Sequence, residues 1–255
     1  MLRNWQGAIF PGIVFVIWEL AGHMDDLKRD SLSQPSDIFV ALYSGLLDGT
    51  IFRATAQTFE AALLGFFIAS LVGVLVGIGL GLAPRIERIV GPTIDLLRPI
   101  PSVALIPLTL MIYGFGVRME AAVVAFACIW PVLIVTISAV RSIEPGLIEV
   151  AKVLEMQPFE RIRKIVLPAA FGRIAVGLQL ALSISLVVAV TVEIVLNPRG
   201  LGHSMMNAQQ ALRFDVMYAQ LLWIGLVGWA LSHYSQKLIN KWSPAFQAAK
   251  QGDRS

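Results

Sequence analysis

Long apolar stretches alternate with short polar ones along this chain. The apolar runs cover about 6–22, 56–82, 92–114, 119–140, 173–195 and 216–238. A helix needs roughly 20 mostly apolar residues to cross the hydrocarbon core of a bilayer. The pattern therefore predicts an all-α, polytopic transmembrane helical bundle of about six spans. In the second run Gly73, Gly77 and Gly81 recur at every fourth position, with Gly65 and Gly79 on either side of Gly73 and Gly77. Small residues at that spacing let a neighbouring helix approach closely in lipid, where packing drives association. Glycine is also frequent in spans generally, so the spacing by itself leaves both readings open.

Two stretches depart from the alternation. Residues 149–168 read EVAKVLEMQPFERIRKIVLP, a charged, proline-interrupted island between apolar runs. A short amphipathic helix is expected after Pro145-Gly146. Pro158 suits the first turn of a second helix, with Phe159, Ile162, Ile165 and Val166 on one face and Glu160, Arg161, Arg163 and Lys164 on the other. Pro168 is expected to end that second helix. Two short helices at an angle fit a groove on a soluble partner, although composition alone equally allows a solvated interfacial loop. The other departure is LLRPIPSVALIPLTL, residues 96–110, where Pro99, Pro101 and Pro107 each lack an amide donor. A broken helix at membrane depth belongs beside a cavity; the alternative is a simple kink at the start of a span.

The remaining polar segments carry less information. Residues 23–55 read as an outer loop with an amphipathic stretch from Ile38 to Leu47 along the interface. Residues 196–215 place Gly200 and Gly202 in a turn before a short helical pattern. The start of the chain, with Arg3 before an apolar segment, is similar to a signal peptide. It lacks a small-residue cleavage site, and Trp18, Glu19 and His23 favour an uncleaved first span. The organisation is then 1–55 for the first helix and outer loop, 56–240 for a core containing the 141–172 loop, and 241–255 for a solvated tail.

Composition supports the membrane reading. The 255 residues are 56% hydrophobic and 15% charged, with mean hydropathy +0.73, whereas a soluble domain carries roughly a quarter charged residues. With the N-terminus placed in the cytoplasm, inside segments hold thirteen Lys and Arg against six outside. That bias puts both termini and the 141–172 loop in the cytoplasm. No basic patch interleaved with aromatics points to nucleic acid. The lone Cys128 excludes an internal disulfide, and it reads as a packing residue within a span. His23, His203 and His233 have no ligand spacing, so no metal is expected. No Ser-His-Asp arrangement supports hydrolysis, and no GxxxxGK[ST] loop is present to bind ATP. An autonomous secondary transporter or channel is the competing class; it predicts inverted halves and no docking loop.

Glu149, Ala151, Ile165, Leu167 and Pro168 resemble the E-A-A-x3-G-x9-I-x-L-P signature of permease subunits of bacterial ABC importers, with unbroken spacing. Val150 and Glu155 depart from it, the latter standing where the motif has a turn glycine, and a glutamate accepts positive φ poorly. Leu97-Arg98-Pro99-Ile100-Pro101, Leu105-Ile106-Pro107, Leu167-Pro168-Ala169-Ala170 and Gly200-Leu201-Gly202 are similar to the nitrate, sulfonate and taurine branch of that family.

The resemblance implies a type I ABC importer permease fold in the bacterial inner membrane. It also implies a permease subunit for a small anionic solute rather than an enzyme. Implied partners are a second permease chain in a homodimer, two ATP-binding subunits, a periplasmic or lipid-anchored solute-binding protein, and membrane lipid. No cofactor is implied on this chain, since ATP and Mg would sit on the ATPase. Glu149, Ala151, Leu154, Glu155 and Met156 would form the coupling helix, supported by Arg161, Leu167 and Pro168. Arg98, Pro99, Pro101, Ser102, Ser183, Thr191 and Glu193 would line the pathway. Within that set Arg98 suits either an anion or freed carbonyls, Glu193 a structural hydrogen bond near the outer gate, and Ser183, with Ser185, helix packing as much as a ligand.

Overall fold

The computed structural model describes residues 13–20 and 33–242, and among them there is no strand. The helices are α1 (residues 13–20), α2 (Pro35–Leu47), α3 (Thr50–Leu82), α4 (Pro84–Leu97), α5 (Ile106–Tyr113), α6 (Val117–Arg141), α7 (Pro145–Val153), α8 (Pro158–Arg161), α9 (Leu167–Val195), α10 (Gly200–Gln210) and α11 (Phe214–Trp242). A 3₁₀ turn, Ser102–Leu105, precedes α5, and a π turn, Ile162–Val166, joins α8 to α9. Among the described residues four stretches are long and apolar enough to cross a membrane: Thr50–Leu82, Val117–Arg141, Pro158–Gln210 and Phe214–Lys241. The expected span over 92–114 is not one helix. It is replaced by Pro84–Leu97 and Ser102–Tyr113, bent by 85°. The expected first span, 6–22, lies largely outside the described residues.

The fold divides into two compact units, Met1–Thr58 with Glu193–Val227, and Phe59–Val192 with Gly228–Ser255. In the second, α3 packs on α6 through the glycines of its small-residue ladder. A Cβ added at Gly65, Gly73, Gly77 or Gly81 would lie 2.6, 2.9, 2.6 or 2.7 Å from Val124, Val132, Thr136 or Val140. Real side chains do not approach so closely, so only glycine permits this separation. Both members of each pair advance together, so α3 and α6 run parallel. Helix α9 runs antiparallel to α6, with Gly177 against Val135 and the Cys128 thiol donating to the Ala181 carbonyl at 3.2 Å. On α9 in turn lies α11, antiparallel, through Gln179 Nε2 donating to Gln236 Oε1 at 2.8 Å and Gly228 against Leu186.

Two parallel neighbours in one membrane need an odd number of crossings between them. The bent pair between α3 and α6 therefore amounts to one crossing. The end of α3, the α6–α9 connection and the end of α11 then fall at one end of this unit.

In the first unit, Ile38 and Leu42 of α2 pack against Ile51 and Ala219, with Trp18 of α1 beside them. The Glu19 carboxylate accepts from the Ser36 amide at 3.1 Å and its hydroxyl at 2.9 Å, satisfying a free donor of the first turn of α2. The outer loop expected over 23–55 is corrected accordingly: from Pro35 onward it is α2 and the start of α3, separated only by Asp48 and Gly49. The Thr50 hydroxyl and then its amide, both donating to the Asp48 carboxylate, hold that carboxyl below its ordinary range.

Candidate coupling site and solute pathway

The α6–α9 connection builds a projecting elbow. Ala151 is buried, and Ile148, one helical turn before it, packs with Ile162 onto the core of Val140, Ile143 and Val166. This inward face seats α7 on the π turn. The opposite face is greasy yet uncovered: Leu147, Val150 and Leu154 recur at helical spacing, and Val153 beside them is 82% exposed. Phe159 is 74% exposed. Of Ile162, Ile165 and Val166, expected to share its face, only Val166 is fully buried. Exposed Glu149 and Glu155 flank this apolar knob. A contiguous exposed apolar patch rimmed by charge marks an interaction surface.

Helix α7 stops at Val153, so Leu154, Glu155 and Met156 form its closing turn rather than more helix. The Leu154 amide donates to the Val150 carbonyl at 3.0 Å, and the Met156 amide reaches back to the Ala151 carbonyl at 3.1 Å. With Glu155 at φ +48° this is a Schellman closure. The position does require the left-handed conformation that a glycine supplies without strain, and Glu155 adopts it at a cost of about 1 kcal/mol.

Pro168 does not end the second helix. Residues 158–195 are helical without interruption, through α8, the π turn and α9. Proline has no amide to donate and its ring crowds the carbonyl four residues earlier. The π turn absorbs this by sending the Leu167 amide to the Ile162 carbonyl, one residue further back than in an α-helix. Arg161 is half-buried here with its Nε unpaired among the described residues. Lys164 pairs instead with Glu160 at 2.6 Å.

The expected pathway residues are not gathered in one place. Pro99 and Pro101 are exposed at the 85° bend, and Ser102 opens the 3₁₀ turn. Beyond the bend, Val103, Ile106 and Leu110 pack on Met119 and Val123 of α6 and on Val188 and Val192 of α9. Ser183, Ser185 and Thr191 donate to the carbonyls of Gln179, Leu182 and Val187 on their own helix, so their protons are already committed. Arg98 lines a cavity of about 510 Å³ with Glu87, Asp95 and Arg141.

Glu193 is buried, and its Oε2 accepts from the Gly202 amide at 2.8 Å. Beside it the amides of Gly200 and Leu201 donate to Gln57 Oε1 and Thr58 Oγ1, each at 3.0 Å. Three donors that α10 leaves free at its start are thus met by side chains, and a carboxylate sits at the positive end of the helix. Gly200 has φ +87°, and any Cβ there would overlap the Glu193 carboxylate. Sequence reasoning missed Glu120, a second buried carboxylate in a span, at the first turn of α6. It also missed Leu147, Val150, Val153 and Phe159 as exposed surface; their apolar character inside a polar island was the available signal.

The described residues thus form a helical membrane bundle with a broken crossing and a projecting elbow. The family described as "Binding-protein-dependent transport system inner membrane component" matches residues 50–242, and the chain belongs to it. The chain is similar to the putative aliphatic sulfonates transport permease protein SsuC of Bacillus subtilis (strain 168), 29% identical over 88% of this chain and 81% of that protein. It is also similar to the bicarbonate transport system permease protein CmpB of Synechococcus elongatus, 30% identical over 91% and 90%, and to the taurine transport system permease protein TauC of Escherichia coli (strain K12), 26% identical over 86% and 82%.

Among solved structures, a chain of the inward-facing MetNI methionine ABC transporter shares the fold with TM-score 0.66 at 18% identity, over 75% of this chain and 95% of that one. A chain of a bacterial ABC transporter importing alginate does so with TM-score 0.64 at 20% identity, over 94% and 96%.

Proposed function

We propose that this chain is the permease subunit of an ATP-driven importer for a small oxyanion such as a sulfonate, taurine, nitrate or bicarbonate. Two copies would enclose the pathway, two ATP-binding subunits would bind Mg-ATP and grip the elbows, and a solute-binding protein would deliver cargo from outside. The observation that carries this reading is the apolar knob of Leu147, Val150, Val153, Leu154 and Phe159, uncovered at the end of the bundle where lysines and arginines concentrate. By the positive-inside bias that end is cytoplasmic, with both termini there. Ala151 seats α7 rather than touching the ATPase, while Glu149, Glu155, Leu154 and Met156 meet it. Arg161, Leu167 and Pro168 hold the stem, and a partner that binds the elbow differently in two conformations can rock the spans between them. The sulfonate, taurine and bicarbonate named for relatives support a small oxyanion as cargo, and Arg98 is the cation on the broken crossing that would meet it.

The test is Glu149→Lys in the reconstituted importer. It should reduce solute-stimulated ATP hydrolysis by roughly tenfold or more, as for loss of a charged group at an interface, while the permease stays inserted. Unchanged coupling would remove Glu149 from the docking surface.

A further inference from the structure

The cavity between α4 and α6 has features of a binding site of its own. Helix α4 is amphipathic and buries none of its residues. Its polar side (Glu87, Gly91, Asp95 and then Arg98, at intervals of four, four and three) lines the cavity. Its apolar side points away from the chain: Ile86, Ile89 and Leu96 are 54%, 78% and 72% exposed. Arg85 and Arg88 are exposed beside them, and Ile94 turns inward to pack on Leu133 and Ile137 of α6. The facing wall is the last turns of α6, with Ile134, Ile137, Ser138, Arg141 and Ser142. At about 510 Å³ the space lies within the range of small-molecule sites.

The charges inside are unequally committed. Arg141 pairs with Glu87 at 2.5 Å. Arg98 makes no ion pair among the described residues, not even with Asp95. One guanidinium is thus free and the other is held by a carboxylate that an incoming anion can displace. Guanidinium groups present planar donor forks that match oxyanions, and Ser138 adds a hydroxyl, whereas the Ser142 hydroxyl already donates to the Ala139 carbonyl at 2.9 Å.

We propose that this cavity is an oxyanion site at the cytosolic side of the proline-rich break, in which Arg98 and Arg141 hold the cargo's headgroup and Glu87 competes with it for Arg141. This rests on the reading of the chain as an oxyanion permease and adds Arg141 and Glu87 to it. Glu87 lowers affinity, so the anion is released to the cytosol when the carboxylate returns.

The test is calorimetric titration of methanesulfonate into the permease–ATPase complex in phosphatidylcholine nanodiscs at low salt, without the solute-binding protein. Arg98→Gln and Arg141→Gln should each weaken binding about tenfold, and Glu87→Gln should tighten it about threefold or more. Opposite signs for Glu87 and Arg141 are the signature, because a pair that merely braces α4 would move both variants the same way. The same direction, no change in any variant, or no binding by the wild type overturns the site. Retention of the ATPase through purification is read in each preparation. Its loss from the wild type would sink the proposed function, whereas absent anion binding with the ATPase retained sinks only this cavity. Loss of methanesulfonate binding in phosphatidylglycerol nanodiscs would assign the arginines to a lipid phosphate and overturn the cargo site.

Discussion

Against α3, helix α6 packs closely on four glycines, whereas against α4 it leaves a cavity of about 510 Å³ bridged by one ion pair. The first interface is apolar and so tight that neither helix can slide without a clash. The second is mixed, with Ile94 on Leu133 and Ile137 beside the charged lining, and α4 contributes no buried residue to it. One helix thus has a fixed side and a side that can be remade. In a bundle that must alternate between conformations, packed surfaces carry motion as rigid bodies and loosely held ones absorb it.

Matched substitutions break or sharpen this contrast. The largest effect is expected from Gly77→Leu, whose first side-chain carbon alone would lie 2.6 Å from Thr136 Cβ. It should destabilise the detergent-solubilised chain by about 3 kcal/mol, the upper part of the range for overpacking, read as a lowered apparent Tm and loss of monodisperse protein. Gly91→Leu on the cavity side, where an added Cβ meets nothing within 4 Å, should stay within ~0.5 kcal/mol of the parent. Equal effects at the two glycines would abolish the distinction.

Glu155→Gly, in the connection that follows α6, should raise stability by about 1 kcal/mol by relieving the left-handed strain. A fall in Tm would mean that the Glu155 side chain makes contacts that outweigh the strain. The smallest effect is expected from Arg141→Ala. With side chains 42% and 21% exposed, the Arg141–Glu87 pair should contribute less than ~1 kcal/mol, so the melting curve should barely move. A large loss would show that the second interface is a structural clamp after all.

Some of this was readable in residue order alone. The spacing of Gly73, Gly77 and Gly81 announced a close helix neighbour, and three prolines in nine residues announced a broken crossing. The departures were as informative as the matches. Pro168 looks like a stop, but the π turn keeps the helix going because one shifted hydrogen bond costs less than ending a span. Phe159 fits the apolar face by periodicity yet projects outward, since periodicity cannot tell a core from a docking surface. Glutamate suits a turn of positive φ poorly, yet Glu155 stands there in the strained conformation.

Hydrophobic run length, proline and glycine placement and the island at 149–168 made the class of protein legible from sequence, because each acts through its immediate neighbours along the chain. The pairing of α3 with α6 and the cap on α10, whose donors and acceptors are as much as 143 residues apart, needed the folded chain. So did the meeting of Arg98, Glu87 and Arg141 around one cavity. Local chemistry sets which segments form helices and where they break, but only packing in three dimensions chooses which faces meet and which charges are left to share a space.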